Sequence, residues 1–460
     1  MKLSMKKEMS VYNILFGIYV FSMPFTNFHP LGLNSVFGAM AKSPAFLVSI
    51  IGMVILLIRN KGVLFLDGNG LFRNLIKIVT ALNAISIIMA IVLHKNLGIL
   101  GGETTFNAIA GDIVYWIQVL CIVLFNVMLF RDVDIDMAES VIKKLIYILI
   151  VIGYLEMGMV LFGGPFNVIC NALYNVGAIY DPESMIRTGK IFLTYSEASY
   201  AELALGALIW PYLCGKIMGN DADKNTILLL LCTLPLAILN QSSSVLMALG
   251  IYAIMLFLAF LKRREVSKKK LTVFLLVVAG VALLVWQKKN QIGPLIVEKV
   301  FEKPFDQNDY STIQRSSVVR NCILTFIEYP ILGVGNGNQG YFYKEHLTAN
   351  AYRSYEVQNT LKFQNGVPSA GSWFGGILSG YGIVGIILLS IYAVKANRIM
   401  KSLKGTKWYY IYHMTFLCFL ICSWFTASLT GEYLQILFLS IPFFSERFLV
   451  YEEKKKCGPQ

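Results

Sequence analysis

The chain alternates long apolar runs with short polar stretches, and run length is the first property that decides anything. Twelve runs are long enough to cross a bilayer, at roughly 11–28, 43–58, 75–93, 111–130, 144–162, 198–215, 225–240, 244–261, 270–287, 373–394, 408–428 and 432–450. A helical span needs about 20 mostly apolar residues. Backbone N–H and C=O groups find no water in the bilayer core, so each run predicts a helix that satisfies its own hydrogen bonds. The basic start MKLSMKKEMS precedes the first run, as in a signal peptide. No small-residue cleavage site follows, so the run reads as a retained first helix.

Composition agrees. Hydrophobic residues make up 56% of the 460 residues and charged residues 15%. A soluble domain carries about 25% charge. The composition therefore excludes both a soluble globular domain and a disordered chain. The formal charge of +13 would suit a nucleic-acid binder if it were clustered. It lies mostly between the apolar runs instead.

Those charges set an orientation. With the N-terminus inside and the runs alternating, 27 of the 40 Lys and Arg residues fall on the inner side. Apart from one long loop, the outer side holds only Lys42, Lys95, Arg187 and Lys190. This asymmetry is the positive-inside pattern, and it places both termini in the cytoplasm. The positive charge is then a topology signal, and nucleic-acid binding has no support. The expected fold is an all-α polytopic membrane protein with about 12 transmembrane helices. It divides into 1–287 with nine spans, an extracytoplasmic loop over 288–372, and 373–460 with three spans and a cytoplasmic tail.

Two outer segments exceed ordinary connections, about 163–197 and about 288–370. Loops longer than about 12–15 residues are usually functional or disordered. The second is aromatic-rich and patterned, which argues for order. Within it the spacing predicts a helix over 312–328, with Ser311 and Gln314 as a capping box. Val318, Val319, Cys322, Ile323, Phe326 and Ile327 give it an apolar face, and Pro330 ends it. The run PILGVGNGNQG follows. A nucleotide-binding glycine motif needs a strand before it and a helix after it. Here a helix comes first, so Gly333 and Gly335 predict a tight turn with close backbone approach.

Arg315 and Arg320 lie on that helix, about 140° apart on an ideal wheel. They are either solvated, bound to lipid headgroups, or a diphosphate clamp. Arginine's rigid fork of donors suits phosphate, and this position would suit a lipid-linked diphosphate. In SMIRTGKIFLTYSEASYAEL, residues 184–203, Arg187 and Lys190 are the basic residues, on a side where such residues are scarce. Glu197 stands where the apolar helix begins, Glu202 lies inside it, and Glu156 lies deep in run five. Intramembrane carboxylates are costly and are functional candidates by default. Glu197 reads equally as an acid favoured by a helix N-terminus, and Glu156 as a partner for a polar group on a neighbouring helix.

Other signals are absent. The chain has no GxSxG elbow, HExxH or GxxxxGK[ST] loop. The eight cysteines include no CxxC pair. Cys418 and Cys422 share a helix face and read as packing residues. Cys170 and Cys322 both fall outside and could pair. No acidic cluster shows metal-ligand spacing, so neither metal nor cofactor is expected. No duplicated halves are visible, which disfavours a transporter.

Taken together, these residues resemble the Wzy polymerases and O-antigen ligases, bacterial integral-membrane enzymes acting on undecaprenyl-diphosphate-linked glycans. Topology carries the resemblance first: twelve spans, inner termini and a long loop after span nine. Arg315 and Arg320 bracket SSVV, and Pro330 opens PILGVG. Arg187 with SEASYAE is similar to a pattern of Arg followed by Glu-Pro-Ser, although Ala198 replaces the proline. WFGGILSGYGIVG, from Trp373, looks like the helix after the loop, ending in Gly382 and Gly385. Ligases of the superfamily carry a His-Asn pair just ahead. The matching place here is Gly371 and Ser372, which favours a polymerase.

The resemblance implies a GT-C-like fold and a glycosyl transfer at the outer leaflet of the bacterial inner membrane. The donor would be a growing glycan on undecaprenyl diphosphate and the acceptor a lipid-linked repeat unit. Positive charge must then stabilise the leaving diphosphate, a role for Arg187, Lys190, Arg315 and Arg320. A base would assist the acceptor hydroxyl, and Glu197 is the first candidate, with Glu156 and Glu202 behind it. Catalysis would thus rest on Glu197 and Arg315. Membrane lipids and a chain-length regulator protein are candidate partners. An O-antigen ligase and a flippase for lipid-linked oligosaccharides are the alternatives.

Overall fold

The computed structural model describes residues 10–26, 43–62, 69–93, 105–195, 198–262, 310–363, 371–424 and 433–456. Every regular element among the described residues is helical. The first part of the chain forms α1 (Val11–Ser22), α2 (Ala45–Arg59), α3 (Leu71–Leu93), α4 (Thr105–Phe130), α5 (Ile135–Phe162), α6 (Pro165–Asn175) and α7 (Pro182–Thr188). Then come α8 (Ala201–Met218), α9 (Lys224–Asn240) and α10 (Ser243–Lys262). The loop segment holds α11 (Tyr310–Glu328), α12 (Tyr343–His346) and α13 (Tyr355–Phe363). The chain finishes with α14 (Trp373–Met400), α15 (Lys407–Cys422), α16 (Tyr433–Leu439) and α17 (Ser445–Lys456).

Eleven of the twelve apolar runs coincide with these helices. The ninth, 270–287, lies outside the described residues, as does the start of the long loop. Among the described residues, five helices are long and apolar enough to cross a membrane, and a sixth if Tyr433–Leu439 and Ile441–Lys455, bent by 41°, form one span. The expectation of about twelve spans is therefore met only in part, and the reason is length. At 1.5 Å per residue, a 12-residue helix such as α1 covers about 18 Å, short of a hydrocarbon core of about 30 Å.

The outward faces suit lipid. On α14 the exposed side chains Ile383, Ile387 and Ile391 recur every four residues, and Val394 follows. Large exposed apolar stripes are rare on soluble monomers. Here they repeat on α2 (Ile51, Val54, Ile55, Ile58) and α3 (Ile87, Ile88, Ile91).

Short polar side chains start the helices. Ser10, Asp134, Asp223, Ser372 and Thr406 each accept a backbone N–H of the first turn of α1, α5, α9, α14 and α15, filling donors the helix itself leaves open. Aromatic packing joins the bundle: Phe130 stacks on Phe444 at 4.3 Å, and Tyr19 meets Phe125 edge-on at 4.9 Å. The Arg447 guanidinium donates to the carbonyls of Phe130 and Val133, closing the end of α4.

One charge network ties three helices and the α8–α9 connection at one end of the bundle. The Lys407 ammonium, 1% exposed, contacts Glu139 and donates to Asp221 at 2.7 Å, and Lys455 donates to the other Asp221 oxygen at 2.7 Å. Burial opposes ionisation of Asp221, but the hydrogen bonds from Lys407 and Lys455 outweigh it and hold the carboxyl below its ordinary range.

Candidate functional site in the glycine loop and its supports

Helix α11 forms where the sequence predicts it but begins at Tyr310, so Ser311 lies inside it and does not cap it. Of the expected apolar face Val318 and Cys322 are buried, whereas Ile323 and Ile327 are exposed, because Ser317, Asn321 and Thr325 share the packed side instead. Ile313 is also buried, while Arg315 and Arg320 point outward. It packs along α14, and the chain leaves it at Pro330 to run beside a break in that helix. Gly382, at φ 60° and ψ −155°, interrupts α14. The backbone groups freed there pair with the glycine loop. Val334 N–H donates to Ser379 O at 2.9 Å, Gly335 N–H to Gly380 O at 2.8 Å, and Ile383 N–H to Pro330 O at 2.9 Å. So a helix kink and a loop complete each other's hydrogen bonds, as buried backbone requires. Gly333 has φ 65°, and a Cβ there would collide with the Ser379 carbonyl oxygen. A Cβ on Gly382 would lie 2.5 Å from Ile331 O. Only glycine permits both the left-handed backbone and this approach.

Side chains then lock the loop to the helices. The Asp112 carboxylate, buried in α4, accepts from Ser86 Oγ at 2.6 Å, Asn336 Nδ2 at 2.8 Å and Tyr381 OH at 2.7 Å. Trp116 Nε1 donates to the Tyr381 oxygen at 2.7 Å. On the other flank Asn321 Nδ2 donates to Gln339 O at 2.8 Å, and its Oδ1 lies 2.7 Å from His346 Nδ1. His346 Nε2 meets Glu328 at 3.1 Å. Burial pushes the Cys322 thiol up to about 11, leaving it protonated and inert at neutral pH.

The two arginines differ in their contacts. Arg320 Nε donates to the His346 carbonyl at 3.2 Å, so this side chain helps to hold the loop. Arg315 is exposed and has no hydrogen-bond or ion-pair partner among the described residues. Arg187 is likewise exposed, in the last turn of α7, and Lys190 is half-buried just beyond it. Helix α7 packs on α5 and α6, whereas α11 packs on α14 and on the short helices of its own segment. Arg320, Gly333 and Gly335 thus belong to one assembly, and Arg187 and Lys190 to another.

The acids behave differently from one another. Glu197 lies outside the described residues. Glu156 is fully buried, and its oxygens accept the backbone N–H groups of Phe192 at 2.9 Å, Leu193 at 2.8 Å and Thr194 at 3.4 Å. Leu193 and Thr194 both have positive φ, 51° and 75°, uncommon for residues other than glycine. Asn240 Nδ2 closes the same turn from α9, donating to Ile191 O at 2.7 Å and Ala198 O at 2.9 Å. Glu156 is therefore the partner of a backbone turn and not a free base. Glu202 is fully buried beside Cys418 and Cys422. Cys170 and Cys322 are not joined in a disulfide, contrary to the pairing the sequence allowed.

Sequence reasoning passed over Asp112, Tyr381 and Asn336. A lone acid at position 112, inside run 111–130, was the available signal. Asn240, at the end of run seven, was a weaker one.

Residues 227–390 match a family model described as O-antigen ligase. This supports the O-antigen ligase/polymerase superfamily. The matched segment starts in α9, contains α10, α11 and the glycine loop, and ends within α14. It includes Arg315, Arg320, Gly333 and Gly335 but not Arg187, Lys190 or Glu197. It fits polymerases and ligases alike. No curated protein matches the chain.

Proposed function

We propose that this protein is a surface-polysaccharide polymerase, a glycosyltransferase of the bacterial inner membrane. It moves a growing glycan from undecaprenyl diphosphate to the non-reducing end of a lipid-linked repeat unit, on the outer leaflet. The observation that carries the reading is Arg315: an exposed guanidinium with no partner among the described residues, inside the family-matched segment, on a helix braced by the glycine loop. A site group works best on a rigid element.

In the reaction, an acceptor hydroxyl attacks the donor's anomeric carbon. The new glycosidic C–O bond forms as the bond to the diphosphate breaks, and the diphosphate leaves with the electron pair. Fixed positive charge on that leaving group is the largest aid a protein can give. Arg315 supplies it, with Arg187 and Lys190 on the second of the two lipid diphosphates. The hydroxyl proton passes to a base, for which Glu197 is the candidate. Glu156 is less suited, because its oxygens already accept three backbone donors. Arg320 acts by holding the loop at His346.

A ligase is the second reading, favoured by the description of the matching family. Against it stands position 372. Ser372 Oγ accepts from Gly375 N–H at 2.9 Å and donates to Ser423 O at 3.2 Å, capping α14, and no histidine adjoins it. A gel of surface polysaccharide from cells lacking the gene separates the readings. A polymerase predicts loss of the ladder with a single repeat unit still reaching its final acceptor. Polymer accumulating on the lipid carrier would instead mean a ligase, and single units trapped on the cytoplasmic leaflet a flippase.

A further inference from the structure

Glu202, Cys418 and Cys422 come from helices far apart in the chain and meet in the bundle interior. Cys418 and Cys422 are one turn apart on α15, so their thiols share a face. Glu202 projects from the first turn of α8. The next residues, Leu205–Ile209, form a π-helical turn, a distortion often found at functional sites. Gly206 lies in that turn, and a Cβ there would come 3.3 Å from Glu202 Oε1 and 3.3 Å from Ala248 Cβ. The Tyr252 hydroxyl donates to Gly206 O at 2.5 Å, fixing the turn from α10.

Two of the three ligand separations match those of a tetrahedral site. Cys418 Sγ lies 3.9 Å from Cys422 Sγ and 3.6 Å from Glu202 Oε1, and the three ligand atoms all lie within 4.8 Å of one another. Tetrahedral zinc, with Zn–S of about 2.3 Å and Zn–O of about 2.0 Å, sets two sulfurs about 3.8 Å apart and a sulfur and an oxygen about 3.5 Å apart. Burial is complete: Glu202 and Cys422 are 0% exposed and Cys418 1%. Glu202 Oε2 has no hydrogen-bond partner. A buried carboxylate oxygen without a donor is costly, and a cation would relieve that cost.

We propose that Glu202, Cys418 and Cys422 form a buried site for a thiophilic divalent cation, with zinc as the ion the geometry fits, supplying three protein ligands and leaving the fourth position of the tetrahedron open. Two thiolates neutralise the ion's charge, and the carboxylate completes a three-ligand set. Binding releases the thiol protons to solvent. The ion would brace α8 against the end of α15, where Ser423 O accepts from Ser372 Oγ and Phe374 N–H. That junction starts α14, so the site would stiffen the support of the glycine loop.

The test uses the full chain purified in detergent, stripped with a chelator and given zinc or cobalt alone. The unmutated chain should retain about one zinc per chain after desalting, and cobalt should produce a thiolate-to-metal charge-transfer absorption. Glu202→Gln should weaken binding by more than about tenfold, since even outer-shell changes cost 10–100-fold. C418S/C422S should abolish the cobalt band, and Cys121→Ser should leave it intact. A cobalt spectrum of the unmutated chain without a thiolate band would overturn the proposal. So would zinc retention no greater than that of C418S/C422S.

Discussion

The Glu156 carboxylate accepts the backbone N–H of Leu193 at 2.8 Å, across the join between a long apolar helix and a turn in left-handed conformation. Strained backbone of this kind costs about 1–3 kcal/mol per residue and persists only where its surroundings over-determine it. Glu156 is the main element of that determination. Glu156→Gln keeps one acceptor oxygen and should cost about 1–3 kcal/mol, whereas Glu156→Ala orphans three buried donors and should cost more than about 3 kcal/mol. Thermal melts in detergent, with limited proteolysis of residues 189–195, measure both. An unchanged melt for Glu156→Ala would show that the turn holds itself.

The glycine loop predicts a contrast between two substitutions with equal chemistry. Gly333→Ala places a methyl against the Ser379 carbonyl at φ 65°, so both strain and collision act. Gly405→Ala has φ 89° but meets nothing within 4 Å. The second should cost only the backbone term of about 1–2 kcal/mol. The first should cost clearly more and should release Asn336 from Asp112. Equal melting temperatures for the two variants would refute the pairing of loop and kink.

Much of this architecture was legible in the sequence. Hydropathy located eleven helices, and the run that Pro330 ends located α11 to within two residues, although its buried side mixes Ile313, Val318 and Cys322 with Ser317, Asn321 and Thr325 and leaves Ile323 and Ile327 exposed. The partner of the glycine loop was not legible. WFGGILSGYGIVG reads as one continuous helix, and the break at Gly382 exists only because residues 330–335 take up its backbone groups. The difference between Arg315 and Arg320 was hidden for a similar reason, since it depends on a carbonyl 26 residues away from Arg320. Cys418 and Cys422 read as packing residues until Glu202, 216 positions from Cys418, was placed beside them.

Acid should weaken the network at Lys407. The folded Asp221 carboxyl ionises below its ordinary range, so its stabilisation is present above the unfolded value and is lost as pH falls through the folded one. Asp223, lowered chiefly by the Thr226 hydroxyl, adds in the same direction. Stability should therefore decline below about pH 4, the ordinary carboxylate value. Asp221→Asn should flatten that decline while lowering the melt at neutral pH, where Lys407 loses a partner. Melts recorded across the acid range check both effects. A steeper decline for Asp221→Asn would contradict the assignment.

The central claim is that Arg315 serves the diphosphate of a lipid-linked glycan during chain growth. Cells lacking the gene, complemented with Arg315→Ala or Arg315→Lys and examined on a surface-polysaccharide gel, test it most directly. The account predicts wild-type amounts of each variant in the membrane, no ladder from Arg315→Ala, and a strongly reduced ladder from Arg315→Lys, because a lysine cannot make the paired contacts of a guanidinium. A ladder of normal length and intensity from Arg315→Ala would contradict it.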